Sequence, residues 1–302
     1  MSWTERACGI GDEAAPDLPG QIALHRELGI GAIELRTIDG LGLHELSPAA
    51  LSEAAKLVAD AGLTVPVVDT PIGNWSRTVG DDFDAELAVL AGSAAAAHVL
   101  GAPWLRVMSY PNDGRPQSDW AAESLRRLAA LTREAERLDV LLLHENCQGW
   151  AGQGPRETLR LLEYVDSPAL RLVFDIGNGL AYGYEPVAYL AEVLPWVDHV
   201  HIKDGHLTPE GPVFTLPGDG SIDIPACLRL LETTCYQGFY SLEPHVAHIP
   251  HLSTTATPEA LAAGYRSCAA AFRRVWSETV AELSGPAARF SAAEAAFEGG
   301  VR

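Results

Sequence analysis

Residues 197–205 read VDHVHIKDG, an apolar run in which His199, His201 and Lys203 alternate with other side chains. Successive side chains of a β-strand point to opposite faces, so these three groups share one face. Ionisable groups in a row on a buried strand need partners, either a metal ion or carboxylates. The stretch therefore predicts that a cation or several acidic side chains lie beside it.

Carboxylates stand at the ends of three other apolar runs. Glu145 ends VLLLHE, Asp175 ends LRLVFD and Glu243 ends GFYSLE. Taken singly, each acid also fits an ordinary role as a surface acid, a turn residue or a salt-bridge partner. Together with His201 they have the composition of a divalent-metal site. This ligand set favours Mn²⁺, with Co²⁺, Mg²⁺ or Zn²⁺ as alternatives.

The overall composition is that of a globular protein with a strongly acidic surface. The chain has 302 residues, 47% hydrophobic content and a formal charge of −19. Such a charge repels nucleic acids and anionic membranes, so we expect neither as a partner. No apolar run approaches the length of about 20 residues that a membrane span needs. The five cysteines are scattered without paired spacing, which, with the absence of a signal peptide, predicts a cytoplasmic protein.

Strand-like and helix-like segments alternate along the chain. Strands are predicted near residues 7–10, 32–36, 64–68, 104–108, 140–145, 171–175, 197–203 and 239–243. Helices are predicted near residues 17–29, 48–61, 82–100, 118–138, 155–165, 185–194, 223–236 and 258–283. Eight strand–helix units without a break in composition predict an α/β fold, a single (β/α)8 barrel spanning residues 1–283. Residues 284–302 are predicted to be a C-terminal tail, with one short helix as an option.

Helix ends carry recognisable signals. Ser47 before Pro48 is typical of a helix start, and Ser118 is predicted to cap the fourth helix. Glycines follow the apolar periodicity of several helices and are predicted to end them: Gly29, Gly62, Gly101 and Gly238. The long loops after strands 3, 4, 5 and 7 follow the strand ends at which such barrels carry their sites.

Several further polar or aromatic residues are candidates for the site. Glu34 and Arg36 share a face of strand 2, where an internal ion pair and a substrate contact are both open. Arg106 is expected to point into the barrel and bond a carboxylate, and Lys203 is expected to be an active-site ammonium. Trp75 and Trp150 lie in loops at the predicted mouth and could stack on a sugar-like ring. The histidines outside the ligand face are predicted to be structural (His98, His144) or loop residues (His44, His206, His248, His251).

Over roughly residues 5–275 the chain resembles the xylose isomerase-like TIM barrels, the sugar phosphate isomerase/epimerase superfamily. The shared motifs are LLLHEN, VFDIGN, DHVHIKD, LPGDGSIDI and YSLEPH. The resemblance places the family's metal ligands on Glu145, Asp175, His201 and Glu243. The candidate substrate contacts at the predicted mouth of the barrel are Lys203, Arg106, Asn178, Trp75 and His199.

Two positions depart from the pattern of many members. Asn178 stands where many have histidine after the strand-6 aspartate, and Cys147 stands where many have histidine after the strand-5 glutamate. Relatives that act on abasic DNA use further histidines for three zinc ions. Asn178 and the missing histidine after His201 speak against that cluster, so we expect no abasic-site nuclease activity.

The resemblance implies a divalent-metal-dependent isomerase or epimerase of a keto-sugar or cyclitol-like substrate. Glu145 and Glu243 would serve as acid and base, removing a proton next to a carbonyl to give a metal-stabilised enediolate. The same intermediate could expel a leaving group, so a dehydratase or lyase is an alternative, as is a non-catalytic metal-binding subunit of a larger enzyme. The expected partner is a small polyol or keto-sugar, and a homo-oligomer is left open.

Overall fold

The structure is a computed structural model that describes residues 2–246 and 256–284. Its strands are β1 (Ala7–Gly9), β2 (Thr37–Ile38), β3 (Leu41–Gly42), β4 (Val67–Asp69), β5 (Trp104–Ser109), β6 (Leu141–Gly149), β7 (Leu170–Asp175), β8 (Val197–Ile202), β9 (Asp204–Thr208), β10 (Gly211–Thr215) and β11 (Phe239–Leu242). Its α-helices are α1 (Trp3–Arg6), α2 (Leu18–Glu27), α3 (Pro48–Asp60), α4 (Phe83–Leu100), α5 (Gln117–Arg137), α6 (Pro155–Val165), α7 (Gly179–Tyr182), α8 (Pro186–Val193), α9 (Ile224–Thr233) and α10 (Pro258–Ser284). Short 3₁₀ turns occupy Gly11–Glu13, Leu43–Glu45 and Leu194–Trp196.

Seven parallel strands form a curved sheet in the order β1-β11-β8-β7-β6-β5-β4. The gap between β1 and β4 is closed by residues 32–35, which form isolated parallel bridges instead of a continuous ladder. Ile10 pairs with Glu34 on one side, and Leu35 pairs with Val68 on the other. The predicted second strand is therefore present as an irregular segment, and the predicted (β/α)8 barrel is confirmed.

The helices lie around the sheet at nearly the predicted positions, with caps that explain most of their ends. Ser47 accepts a hydrogen bond from the backbone of Ala50 at 3.2 Å, as a cap for α3. Gly29, Gly62 and Gly101 adopt the left-handed backbone that ends a helix. Two of the predicted helix-capping residues are wrong. Ser118 lies inside α5, whose cap position is Pro116, and Cys235 rather than Gly238 takes the left-handed conformation after α9.

Helix α4 is long and apolar enough to cross a membrane by length and composition alone, which corrects the expectation that no segment approaches this limit. In the barrel, α4 packs against α3, α5 and β5. Its buried side chains include Leu90, Ala94 and Ala97. The alanine content that raises its hydropathy thus also allows close packing between neighbouring helices.

Two hairpins were not predicted. β2 and β3 pair within the loop after the irregular second strand, and β9 and β10 pair directly after β8. Both stand at the carboxyl ends of barrel strands, so they belong to the face that carries sites in such folds. The predicted tail beyond Ser284 and the loop residues His248 and His251 lie outside the described residues.

Inward-facing residues of the barrel form two successive layers. The lower layer, made by Val67, Leu143 and Val173, is a small apolar cluster against Trp104. The upper layer comprises buried charged groups that follow at the strand ends: Arg36, Asp69, Arg106, Glu145, Asp175, His201, Lys203 and Glu243. The apolar lower layer closes the barrel beneath a polar upper layer, which is where a site can form.

Candidate metal centre

The structure brings Glu145, Asp175, His201 and Glu243 together at the top of the barrel. One ligand atom from each lies within 4.8 Å of those of the others, and all four residues are buried. Glu145 lies on β6, Asp175 ends β7, His201 lies on β8, and Glu243 directly follows β11. These strands are neighbours in the sheet: Asp175 is paired with His201 across β7 and β8, whereas Glu145 is paired with Val173, and Glu243 follows two residues after Ser241, the partner of His201.

His201 is oriented so that one ring nitrogen faces the carboxylates. Its Nε2 lies 3.0 Å from Glu34 Oε1, while its Nδ1 lies 3.3 Å from Glu243 Oε2 and 3.8 Å from Glu145 Oε1. Among the described residues Nδ1 has no hydrogen-bond partner, although it is buried. A ligating histidine commonly donates its other N–H to a carboxylate in this way. The residues present therefore fit a divalent cation at Nδ1 and the three carboxylates.

The carboxylate of Glu145 is held on two sides. Arg106 donates from Nη1 to Oε2 at 2.9 Å, and Asn178 donates from Nδ2 to Oε1 at 3.1 Å. Burial raises the pKa of Glu145, but the close approach of His201 and the charge of Arg106 outweigh it and lower the pKa to about 2. Glu145 is thus ionised at neutral pH.

Asp175 and Lys203 form a buried ion pair beside the histidine. Lys203 Nζ lies 2.7 Å from Asp175 Oδ2 and 2.8 Å from Glu243 Oε2. The backbone amides of Gly177 and Asn178 donate to Asp175 Oδ1. Burial still dominates at the aspartate and raises its pKa to about 6, whereas the surrounding carboxylates outweigh burial at Lys203 and raise its pKa.

Glu243 also contacts a second group of polar residues, His245 and Arg36, and His245 in turn contacts Glu13 from the turn after β1. His245 Nε2 lies 3.2 Å from both Glu243 Oε1 and Glu13 Oε1, and the backbone amide of His245 donates to Glu13 Oε2. Arg36 Nη1 approaches Glu243 Oε1 at 3.6 Å. Sequence reasoning missed His245 and Glu13; the only signal was the histidine two residues after Glu243 in the YSLEPH motif.

A cavity of about 300 Å³ opens above the centre. Glu145 and Glu243 line it, while Asp175 and His201 lie fully buried beneath. The β9–β10 hairpin contributes Pro212 and Phe214 to its wall. The remaining lining side chains include Trp75, Met108, Cys147, Asn178, Tyr182, Lys203 and His245. A small molecule in this cavity would meet both glutamates directly.

The other candidates fall into three places. Lys203, Asn178 and Trp75 line this cavity, whereas Arg106 lines a second cavity on the far side of Trp75. His199 lines neither cavity. Its Nε2 lies 2.9 Å from Glu34 Oε2 below the centre, so the prediction of a substrate contact at His199 is corrected.

Glu34 and Arg36 do not pair with each other, although they share a strand. Glu34 contacts His199 and His201 and accepts a short hydrogen bond from Ser241, whereas Arg36 binds Asp12 at 2.8 Å. Glu34 and Arg36 therefore both make internal charged contacts, but with other residues and not with each other. Sequence reasoning did not find that Glu34 orients the ligand histidine, because its partners lie more than 160 positions away along the chain.

The aromatic and histidine candidates farther from the centre have structural contacts. Trp150 is buried beneath Arg160 and does not reach the mouth, because the β6 loop folds it into the core. His98 bonds the backbone oxygen of Leu138 at 2.8 Å, and His144 is fully buried; both agree with the predicted structural roles. His206 is exposed on β9, and His44 lines the second cavity.

The fold and the centre define a (β/α)8 barrel with three carboxylates and a histidine clustered at the carboxyl ends of its strands. The sequence matches the Xylose isomerase-like TIM barrel family over residues 22–268, and the chain belongs to that family. Family membership thus confirms the resemblance inferred from the motifs.

Curated relatives include an epimerase and a dehydratase. An inosose dehydratase from Bacillus thuringiensis is 29% identical over 144 residues, which cover 42% of this chain and 47% of the relative. A 2-epi-5-epi-valiolone 7-phosphate 2-epimerase from Actinoplanes sp. is 34% identical over 161 residues, covering 51% of this chain and 50% of the relative. The chain therefore spans about half the length of the curated relatives it matches.

Solved structures match over nearly the whole chain. The crystal structure of the IOLI protein with a zinc atom superimposes with a TM-score of 0.71 and 18% identity, covering 91% of this chain and 99% of that protein. A likeness at this low identity concerns the fold, which agrees with the barrel described above.

Proposed function

We propose that Glu145, Asp175, His201 and Glu243 hold one divalent cation and that the protein is an isomerase or epimerase of a keto-sugar or cyclitol-like substrate. The observation that carries the proposal is the geometry of the centre. Four ligand atoms converge within 4.8 Å, and two of the ligands, Glu145 and Glu243, also line the cavity above. The zinc atom named for the IOLI protein supports a metal in such a barrel. Mn²⁺ suits the ligand set best, with Co²⁺, Mg²⁺ or Zn²⁺ as alternatives.

The bound cation would supply Lewis-acid stabilisation of negative charge on substrate oxygens. The protein's own groups then carry the proton transfers. Glu145 is ionised and can accept the proton from carbon, while Glu243 reaches the cavity from the other side, beyond β7 and β8. Lys203 Nζ, at 2.8 Å from Glu243 Oε2, helps to hold that carboxylate in place. Asn178 and Arg106 keep Glu145 in place during the cycle.

A dehydratase is the second candidate. It rests on the inosose dehydratase relatives, which align over 42% of this chain. Both reactions begin with loss of a proton next to a carbonyl and differ in what leaves afterwards. Epimerisation returns a proton to the opposite face of the same carbon, whereas dehydration expels a hydroxyl group from the neighbouring carbon.

The test is incubation of the metal-loaded protein with keto-sugars and inososes in deuterated water, with a chelator-treated sample as control. Deuterium should enter at the carbon next to the carbonyl, and one equivalent of divalent cation should be bound per chain. A new stereoisomer identifies an epimerase, and a dehydrated product identifies a dehydratase. Turnover without exchange, without water loss and without dependence on the cation would refute the proposal. The cytoplasmic location, the oligomeric state and the absence of nuclease activity stay predictions.

A further inference from the structure

A second cavity of about 300 Å³ lies beside the first, and its lining residues come from the part of the barrel between β1 and β5. Its wall includes Thr37, Gly40 and Gly42 of the β2–β3 hairpin, His44 of the following turn, and Asn74 and Trp75 of the loop after β4. Trp75 lines both cavities, so its side chain is their shared wall. Each cavity alone has the size of a small ligand pocket.

Two arginines connect the second cavity to the metal centre. Arg106 uses Nη1 to bind Glu145 and approaches Asp69 Oδ1 with Nε at 3.2 Å. Arg36 contacts Glu243 with Nη1 and Asp12 with Nη2. In both cases one end of a guanidinium touches a proposed metal ligand and the other end touches an acid that lines the second cavity. The second cavity and the metal centre are therefore bordered by the same two guanidinium groups.

Unused hydrogen-bonding groups line the second cavity. Asp69 is 3% exposed, and among the described residues its Oδ2 has no hydrogen-bond partner. Asn74 accepts from Ser76 through Oδ1, and within residues 2–246 and 256–284 its Nδ2 donates no hydrogen bond. An unpartnered buried oxygen such as Asp69 Oδ2 is costly to maintain, so the cavity favours a ligand that donates to it, and Asn74 Nδ2 can donate to the same ligand. Hydroxyl groups both donate and accept.

The charges of the two cavities disfavour a phosphate. Arg36 contacts three carboxylates, from Asp12, Glu13 and Glu243, and Arg106 contacts two, from Asp69 and Glu145. Lys203 in the first cavity is likewise held between Asp175 and Glu243. Burial lowers the pKa of His44, so that its ring is neutral at neutral pH. Among the described residues, a phosphate would thus meet only cations that are already paired with carboxylates.

We propose that the second cavity is a binding subsite for an uncharged, hydroxyl-rich arm of the substrate, such as a second sugar ring, while the keto ring sits at the metal centre. This inference rests on the proposed function and narrows its substrate class to unphosphorylated glycosides of keto-sugars or cyclitols. In this arrangement Asp69 accepts from a hydroxyl of the arm, Asn74 donates to another, and Trp75 packs between the two rings. The epimerase relative from Actinoplanes is named for a phosphorylated substrate, so the proposal separates this chain from it.

The test uses isothermal titration of the metal-loaded protein with D-fructose and with four keto-disaccharides that attach glucose to different hydroxyls of fructose. These are turanose, maltulose, leucrose and isomaltulose, and fructose 1-phosphate and fructose 6-phosphate are titrated in parallel. At least one disaccharide should bind about tenfold more tightly than fructose, as expected for one or two added hydrogen bonds. Neither phosphate should bind more tightly than fructose.

The variant Asp69→Asn keeps the size of the side chain but replaces one acceptor oxygen by an amide nitrogen. It should abolish most of the tenfold gain, taken as the ratio of disaccharide to fructose affinity within the same variant, because Asp69 also contacts Arg106 and its loss affects fructose binding itself. Asp139→Asn is the matched control, because Asp139 is exposed in a left-handed turn that asparagine also adopts. This control should keep the full gain.

The outcomes separate the two proposals. If fructose binds in a cation-dependent manner but no disaccharide binds more tightly, the subsite is refuted while the proposed function stands. A phosphate that binds more tightly than fructose, or a full gain in Asp69→Asn, also refutes it. If no ketose binds, the subsite for glycosides of keto-sugars is refuted, while the proposed function is decided by the exchange experiment with inososes.

Discussion

The lower and upper layers of the barrel interior are built by the same strands yet differ completely in chemistry. On β6 Leu143 precedes Glu145 by two residues, and on β7 Val173 precedes Asp175 by the same step. All four side chains are buried. One step of two residues moves about 7 Å along a strand, so the interior changes from apolar core to charged centre between one layer and the next.

The difference shows that burial alone does not decide which residues a barrel interior accepts. The lower layer is stable because its side chains leave water and pack together. In the upper layer each carboxylate has cationic or hydrogen-bonding partners that offset the cost of burial, as Lys203 does for Asp175 and Arg106 does for Glu145. We therefore expect substitutions in the two layers to have separate effects, on chemistry above and on folding below.

The largest effect is expected in the upper layer. Glu145→Gln and Glu243→Gln keep the size of the side chain and an oxygen ligand but remove the base. Each should lower the rate of deuterium exchange and turnover by about 10²–10⁴, the usual contribution of a general base. The exposed glutamate Glu163 on α6 provides the control, and Glu163→Gln should be fully active. For an epimerase, one variant should still exchange the proton of one epimer, because the base on that face survives. Full activity in both variants would refute the assignment of Glu145 and Glu243 as acid and base.

In the lower layer the expected effect is on stability. Leu143→Ala removes a fully buried side chain between β5 and β7 and should lower the free energy of unfolding by about 2–5 kcal/mol. Urea denaturation with and without added cation measures it, and the metal bound per folded chain should not change. Leu41→Ala, at a position that is 46% exposed, is the control and should cost much less. If Leu143→Ala removed the metal while leaving stability unchanged, the separation between the layers would be wrong.

The two layers also differ in how well the sequence predicts them. Strand parity and strand ends are local features, and they suffice to predict that Leu143, Glu145 and Asp175 lie on inward-facing rows. Contacts that close the barrel are not local. The pairing of Glu13 with His245 joins the loop after β1 to the segment after β11, and no periodicity of either segment encodes it. Likewise, the β9–β10 hairpin was missed because its turn lies inside a loop rich in glycine and proline.

Substitution of Glu34 tests how the two layers depend on each other, because its side chain lies at their boundary. The expected effect is the smallest of the three predictions. Its carboxylate contacts His199 on the lower side and Nε2 of His201 on the upper side, so it fixes which nitrogen of His201 faces the centre. In Glu34→Gln the amide can accept from only one of the two rings, so His201 loses its fixed orientation. We expect the cation affinity to fall about 10–100-fold, the usual cost of losing a carboxylate behind a ligating histidine. Competition with a chromophoric chelator measures the dissociation constant.

Glu86→Gln is the control, because Glu86 is equally buried but bonds Tyr110 and Arg77, far from the histidines. This control should keep the wild-type affinity. An unchanged cation affinity in Glu34→Gln would mean that the backbone of β8 alone orients His201. The contact of Glu34 with both layers would then have no effect on the cation site.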